Sequence, residues 1–103
     1  ISQVLTGQIV TEAGTSRALS ATDNGKIIYC TNAAATTVTM GVGLPAGFNV
    51  TIIQGGTGKV TLASGGLILQ SYSGLFSTMG EFAIISVISP ETDVFFAAGN
   101  LGV

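Results

Sequence analysis

Few side chains in this chain could carry out acid–base or nucleophilic chemistry. The 103 residues include no histidine, three basic residues and one cysteine. Nucleophilic catalysis requires a serine or cysteine beside a base. Lys26 and Lys59 are the two lysines that could act as such a base, and neither lies in a local catalytic motif. The sequence therefore predicts no catalytic residues and a protein that is not an enzyme.

Two acidic segments could in principle bind a hard cation. Glu91 and Asp93 are two residues apart, so both could face one side of a strand, but after Pro90 such a pair is more typical of a solvated edge or turn. Asp23 begins a short Asp-Asn-Gly segment that resembles the start of a calcium loop, but the remaining ligands and the distal glutamate are missing. We predict turns at both segments, no metal site and no cofactor.

The glycine-rich segment 55–59 (GGTGK) superficially resembles a phosphate-binding loop. That loop requires a glycine, four residues, and then Gly-Lys followed by Ser or Thr at the start of a helix. In this chain Ile53 occupies the first glycine position and Val60 follows the lysine. The segment therefore predicts the turn of a β-hairpin.

Three further features bear on binding. Asn49 begins an Asn-Val-Thr glycosylation triplet, which we interpret as a chance match within a strand. Tyr29 and Tyr72 could stack on a sugar, and with no tryptophan this is a small inventory for a lectin, but a glycan site shared between subunits remains open. The lone Cys30 excludes an internal disulfide and is predicted to be a buried thiol.

Charge and hydropathy limit the partners of the chain. Charged residues make up 8% of the sequence, against about 25% in a typical soluble domain, and the mean hydropathy is +0.65. A net charge of −2 without a basic cluster argues against nucleic acid, and no apolar run approaches the ~18 residues that span a membrane. We expect part of the surface to be buried in an oligomer.

Alternating apolar residues predict strands throughout the chain. Val38, Met40 and Val42 share one strand face, and residues 81–89 are apolar on both faces, which suggests that a neighbouring subunit covers the second face. The predicted core is a hairpin with additional aromatic and aliphatic residues packed nearby: Phe48, Val50, Ile52, Val60, Leu62, Phe82, Ile84 and Phe96.

The predicted fold is therefore all-β. We expect a small antiparallel β-sandwich or barrel-like module without a long helix. Residues 1–103 should form a single domain, in which residues 1–10 are an entry strand and residues 1–17 form an N-terminal arm or attachment strand.

Four segments resemble a small β-module of tailed-bacteriophage structural proteins, found in head fibres, capsid-decoration proteins and tail fibres. A D-N-G-K-x-I segment precedes a threonine-rich strand, an L-P-A-G-F-x-V-x-I-I-Q strand leads into a glycine turn, and an aromatic strand runs into Gly-Asn-Leu. These segments are residues 23–28, 35–40, 44–62 and 93–101. Phe95 and Phe96 stand where the family commonly has tryptophan. The resemblance covers residues 18–101.

The resemblance implies a non-enzymatic virion protein, commonly homotrimeric, located on the phage particle surface. Its role would be capsid decoration or a head-fibre module, with the major capsid protein or fibre components as partners. The alternative is a domain of a tail fibre or receptor-binding protein that attaches to the host surface, where a glycan is a potential ligand. The resemblance carries no catalytic residues.

Overall fold

The structure, a computed structural model, describes residues 9–102, which form eleven strands in two facing sheets and one turn of 3₁₀ helix at Ala21–Asp23. The six-stranded sheet contains, in spatial order, β1 (Ile9–Glu12), β3 (Lys26–Cys30), β5 (Asn49–Gln54), β9 (Ile84–Glu91), β10 (Val94–Gly99) and β7 (Ile68–Ser71). The five-stranded sheet contains β11 (Leu101–Gly102), β8 (Ser77–Thr78), β6 (Val60–Ala63), β4 (Thr36–Thr39) and β2 (Ser16–Ala18).

Over its first six strands the chain winds as a coil, crossing from one sheet to the other after each strand. Odd-numbered strands lie in the six-stranded sheet and even-numbered strands in the five-stranded sheet, so that β1, β3 and β5 pair in parallel, as do β2, β4 and β6. Strand β9 then pairs antiparallel with both β5 and β10. The all-β sandwich is thus confirmed, whereas its predicted antiparallel pairing is wrong for the coil, because each strand crosses to the other sheet instead of turning back.

The predicted hairpin at the glycine-rich segment is also wrong. Strands β5 and β6 belong to different sheets, and the segment between them stacks on the corner of the preceding turn of the coil. The amide of Gly55 donates to the Cys30 carbonyl at 2.7 Å, and that of Gly58 donates to the Asn32 carbonyl at 3.1 Å. A Cβ atom at Gly58 would lie 1.9 Å from the Ala34 carbonyl oxygen. The glycines therefore permit close stacking of two corners.

The core lies between the two sheets. Its largest members are Phe48 and Phe95, whose rings pack edge to face at a centroid distance of 6.4 Å. The predicted core residues on or next to β5 and β6 are confirmed as buried: Phe48, Val50, Ile52, Val60 and Leu62. Val38 and Met40, which the alternation assigned to one strand face, are buried as well. Val42 is 76% exposed, contrary to the predicted alternation, because β4 ends at Thr39 and the strand period ends with it.

Three predicted core residues, Phe82, Ile84 and Phe96, face outwards instead. Their neighbours Ala83, Ile85, Val87, Phe95 and Ala97 are buried. Strand β9 is apolar on both faces, so its period of two identifies the two faces without saying which one is inside. The pairing of β9 with β5 decides this, since Ile85 lies beside Ile52 and Val87 beside Val50.

Residues 1–8, and with them most of the predicted entry strand 1–10, lie outside the described part of the chain. Within the predicted arm 1–17, β1 and the start of β2 occupy the edges of the two sheets. An attachment role for this segment stays a prediction.

Candidate interaction surface on the six-stranded sheet

The charged residues near the first turn of the coil form a structural clamp. Arg17 donates one hydrogen bond to Glu12 at 2.9 Å and another to Asp23, whose side chain is 3% exposed. Asp23 also accepts the amide proton of Ser20 at 3.2 Å. The hydrogen bond to Asp23 raises the pKa of Arg17, and Glu12 adds to this effect. A guanidinium held by two carboxylates ties β1, β2 and the 3₁₀ turn together.

The acidic pair lies at the β9–β10 connection. Glu91 is exposed at the end of β9, whereas Asp93 lies in the turn with a φ of +66° and accepts the amide proton of Gly43 at 2.7 Å. Asp93 therefore fastens this turn to the loop before β5. Among residues 9–102, no three His, Cys, Asp or Glu residues are grouped so that they could hold a metal ion.

The remaining residues considered from the sequence are dispersed. Asn49 is exposed on β5, Lys26 and Lys59 are half-buried, and Tyr29 and Tyr72 are exposed on different strands or turns. No helix in the described part of the chain is of a length and hydropathy to cross a membrane.

Cys30 is a core residue, as predicted, and is 2% exposed. Burial in apolar surroundings raises the pKa of its thiol to about 11, with a further contribution from Glu12. Because an unfolded thiol has a pKa of about 8.5, the folded state favours the protonated form. The resulting contribution to stability is complete below about pH 8.5 and is lost as the pH rises towards 11.

We therefore expect Cys30 to resist alkylation by iodoacetamide in the folded protein at pH 8 and to react quickly in denaturant, as measured by mass spectrometry. Urea unfolding at pH 8 and pH 10.5 should reveal a larger loss of stability for the native chain than for Cys30→Ala. Fast alkylation of the folded chain, or an equal loss in both proteins, would contradict this assignment.

The outward side of the six-stranded sheet, which we call the apolar face, is its most distinctive surface. Tyr29, Ile53 and Ile84 are directly paired across β3, β5 and β9, and Ile88 pairs with Phe96 across β9 and β10. None of its residues is charged: Ile9, Thr11, Ile27, Tyr29, Asn49, Thr51, Ile53, Ile68, Gln70, Ile84, Ser86, Ile88, Phe96 and Ala98. Ile84, Ile88 and Phe96 are each about half exposed (47%, 53% and 50%).

The outward side of the five-stranded sheet is chemically different. It presents small side chains, most of them hydroxylated: Ser16, Ala18, Thr37, Thr39, Thr61, Ala63 and Ser77. The hydroxyl groups of Thr61 and Ser77 are hydrogen-bonded to each other at 3.0 Å. Small hydroxylated side chains dominate this side, whereas the apolar face combines large isoleucine, tyrosine and phenylalanine side chains with hydroxyl and amide groups. A partner that covered the apolar face would therefore remove more apolar surface from water than one that covered the other side.

A hollow lies where the apolar face meets the edge strand β7. It has a volume of about 400 Å³ and is lined by Gln70, Ser71, Tyr72, Phe96 and Ala97. A second hollow of about 200 Å³ adjoins it, and Tyr72 and Ala97 line both. The sequence pointed to Tyr72 as a residue that could stack on a sugar, but it placed Phe96 in the core.

No protein-family model matches this chain, and no curated protein matches it.

Proposed function

We propose that this protein is a non-enzymatic structural module that self-associates through its apolar face. We further propose that it is a tailed-phage virion protein, a homotrimer that decorates the capsid surface or forms part of a head fibre. The observation that carries the self-association is the absence of charge from a six-stranded sheet face that exposes isoleucine, tyrosine and phenylalanine. The resemblance over residues 18–101 supports the virion role.

The size of the apolar face suits a subunit contact. Six strands spaced about 4.8 Å apart, each with about five paired residues, give a flat footprint on the order of 500 Å². The relief of the side chains brings the accessible area closer to the roughly 800 Å² that each partner buries in a stable complex. Two copies of such a face do not repel each other, because neither is charged.

A closed ring of three copies agrees with the resemblance and with the symmetry of soluble oligomers. In a ring, each copy divides its face between two neighbours, so that its two contacts together cover the face while the hydroxylated side of the sandwich stays in solvent. This arrangement also gives β9 the second cover that its two apolar faces require.

The oligomeric state tests this proposal directly. Light scattering coupled to size exclusion should give about three times the 10.3 kDa chain mass at micromolar concentration. A stable monomer under these conditions would contradict the proposal. For the virion role, an antibody against this chain should label the heads of intact phage particles.

The alternative, a tail-fibre or receptor-binding domain, is favoured by a different observation. The hollow beside Tyr72 is an open, uncharged and partly aromatic surface, of a kind that small molecules can occupy. Antibody labelling of the tail tip instead of the head would support this alternative.

A further inference from the structure

We propose that the hollow beside Tyr72 binds a neutral sugar, with the pyranose ring stacked against the Tyr72 ring. The proposal assigns a ligand class to the alternative form of the proposed function and rests on that form. Gln70 and Phe96 also belong to the apolar face, so a sugar can reach them only where a subunit contact leaves the β7 edge of that face open. Four observations support the assignment: the exposure of Tyr72, the polar groups around it, the small residues beside it, and the absence of charge.

Tyr72 is open to solvent and takes no part in the core. Its side chain is fully exposed (108%), directly after β7, and the neighbouring Phe96 is 50% exposed across the hollow. Neither ring is part of the core cluster. A pyranose ring has one face made of C–H groups, and such a face packs favourably on the electron-rich face of an aromatic ring.

Polar groups lie next to these rings. Gln70 is exposed and carries both a donor and an acceptor. Ser71 donates its hydroxyl proton to the Leu75 carbonyl at 2.8 Å, which orients the hydroxyl and leaves its lone pairs as acceptors. Ser73 lines the adjoining hollow. These side chains place a few polar groups beside a mainly apolar surface, a combination that sites for small molecules also have.

Small residues create the space. Ala97, Ala98 and Gly99 line the two hollows. The backbone of Gly99 has a φ of +118°, which residues other than glycine rarely adopt. A Cβ atom at Gly99 would lie 2.6 Å from the Ile84 carbonyl oxygen. The larger hollow, at about 400 Å³, falls within the range of roughly 300–1,000 Å³ found for ligand sites. The adjoining hollow provides room on the other side of Tyr72.

Charge decides between classes of sugar. None of the residues that line either hollow is charged. A sialic acid or uronic acid would therefore bring a carboxylate that loses water without gaining a counter-ion. Neutral hexoses and N-acetylhexosamines have no such penalty, so they are the ligands that this surface favours.

The test uses the intact chain at a concentration where its oligomeric state is known. NMR titrations with neutral oligosaccharides of glucose, galactose, mannose and N-acetylglucosamine should produce saturable shifts of the Tyr72 ring, with a Kd on the order of 1 mM. Sialylated and uronate-containing oligosaccharides of the same length should bind more weakly. Because NMR reports each site separately, avidity does not obscure the comparison.

Variants locate the site. Tyr72→Ala should weaken binding roughly tenfold, as expected for the loss of one stacking contact, whereas Tyr72→Phe should retain the ring and most of the affinity. Gln70→Ala should weaken binding by a smaller factor. The matched control is Phe82→Ala, since Phe82 is a 73% exposed aromatic residue that lines neither hollow, and it should leave binding unchanged.

Three results would overturn the sugar site: no saturable shift with any neutral oligosaccharide, tighter binding of the acidic ones, or binding that survives Tyr72→Ala. A decrease in oligomer mass caused by Tyr72→Ala would also overturn it, because the occupant of the hollow would then be a second copy of the chain. Light scattering on the same samples distinguishes the two proposals. A monomer that binds sugar would contradict self-association but not the sugar site.

Discussion

Replacing Ile84 by lysine should convert the proposed oligomer into a folded monomer. Ile84 is the first residue of β9, one of the inner strands of the sheet, where it is paired with Ile53 on one side, and its side chain is half exposed on the apolar face. In the assembly, a lysine here would be a buried charge without a partner, which costs several kcal/mol per contact. The dissociation constant should therefore rise by roughly two orders of magnitude or more, as measured by light scattering across a dilution series.

The isolated chain should tolerate this substitution. The aliphatic part of a lysine can lie along the apolar face while its ammonium group stays in water. Thr37→Lys is the matched control, because Thr37 is an exposed, outward residue of the five-stranded sheet, and it should leave the oligomer mass unchanged. Loss of the native circular dichroism spectrum in Ile84→Lys, or equal dissociation in both variants, would contradict the assignment of the apolar face as the subunit contact.

The adjacent phenylalanines of β10 should respond very differently to truncation. Phe95 is fully buried and its ring contacts that of Phe48. Phe95→Ala should therefore lower the free energy of unfolding by about 3–5 kcal/mol, which combines the lost burial with the cavity left between the sheets. Urea unfolding at a fixed chain concentration measures this loss, which is a large share of the ~5–15 kcal/mol that stabilises a typical domain.

Phe96→Ala is the control one residue away. Phe96 is half exposed on the apolar face, so its truncation should loosen the oligomer in light scattering while the sandwich itself keeps nearly its full stability. The opposite pattern, in which Phe96→Ala unfolds the chain and Phe95→Ala does not, would show that the two faces of β10 are interchanged. This pair also separates the stability of one chain from the stability of the assembly.

The outward sides of the two sheets differ in their chemistry. Hydrogen-bonded corners such as the one between Gly58 and Asn32 hold successive turns of the coil together through backbone groups, and the ion pairs of Arg17 add to this at the first turn. One exterior has hydroxyl groups and the other has large apolar groups, a contrast that fits a subunit with one solvated side and one partnered side.

The amino-acid sequence by itself determined the fold class and much of the core. Alternation in β4 and β5 identified Val38, Val50 and Ile52 as buried, because a period of two in short segments bounded by glycine and proline is specific to half-buried strands. The scarcity of charged residues also predicted that part of the surface is covered by a partner. This prediction depends only on the composition of the chain and not on how the strands connect. The lack of histidine left little for acid–base chemistry near neutral pH.

Only the tertiary structure decided how the strands connect and which face of β9 is inside. A glycine-rich segment between two strands is compatible with a hairpin or with a crossover to a second sheet. The choice depends on the close approach of Gly58 to the Ala34 corner, a contact between residues distant in sequence. Likewise, Ile84 and Ile85 are equivalent in an apolar strand until β9 pairs with β5. Pairing between strands distant in sequence decides that Ile84 is the exposed one of these two residues, and therefore which side of β9 belongs to the apolar face. Local periodicity cannot decide this, because it contains no information about neighbouring strands.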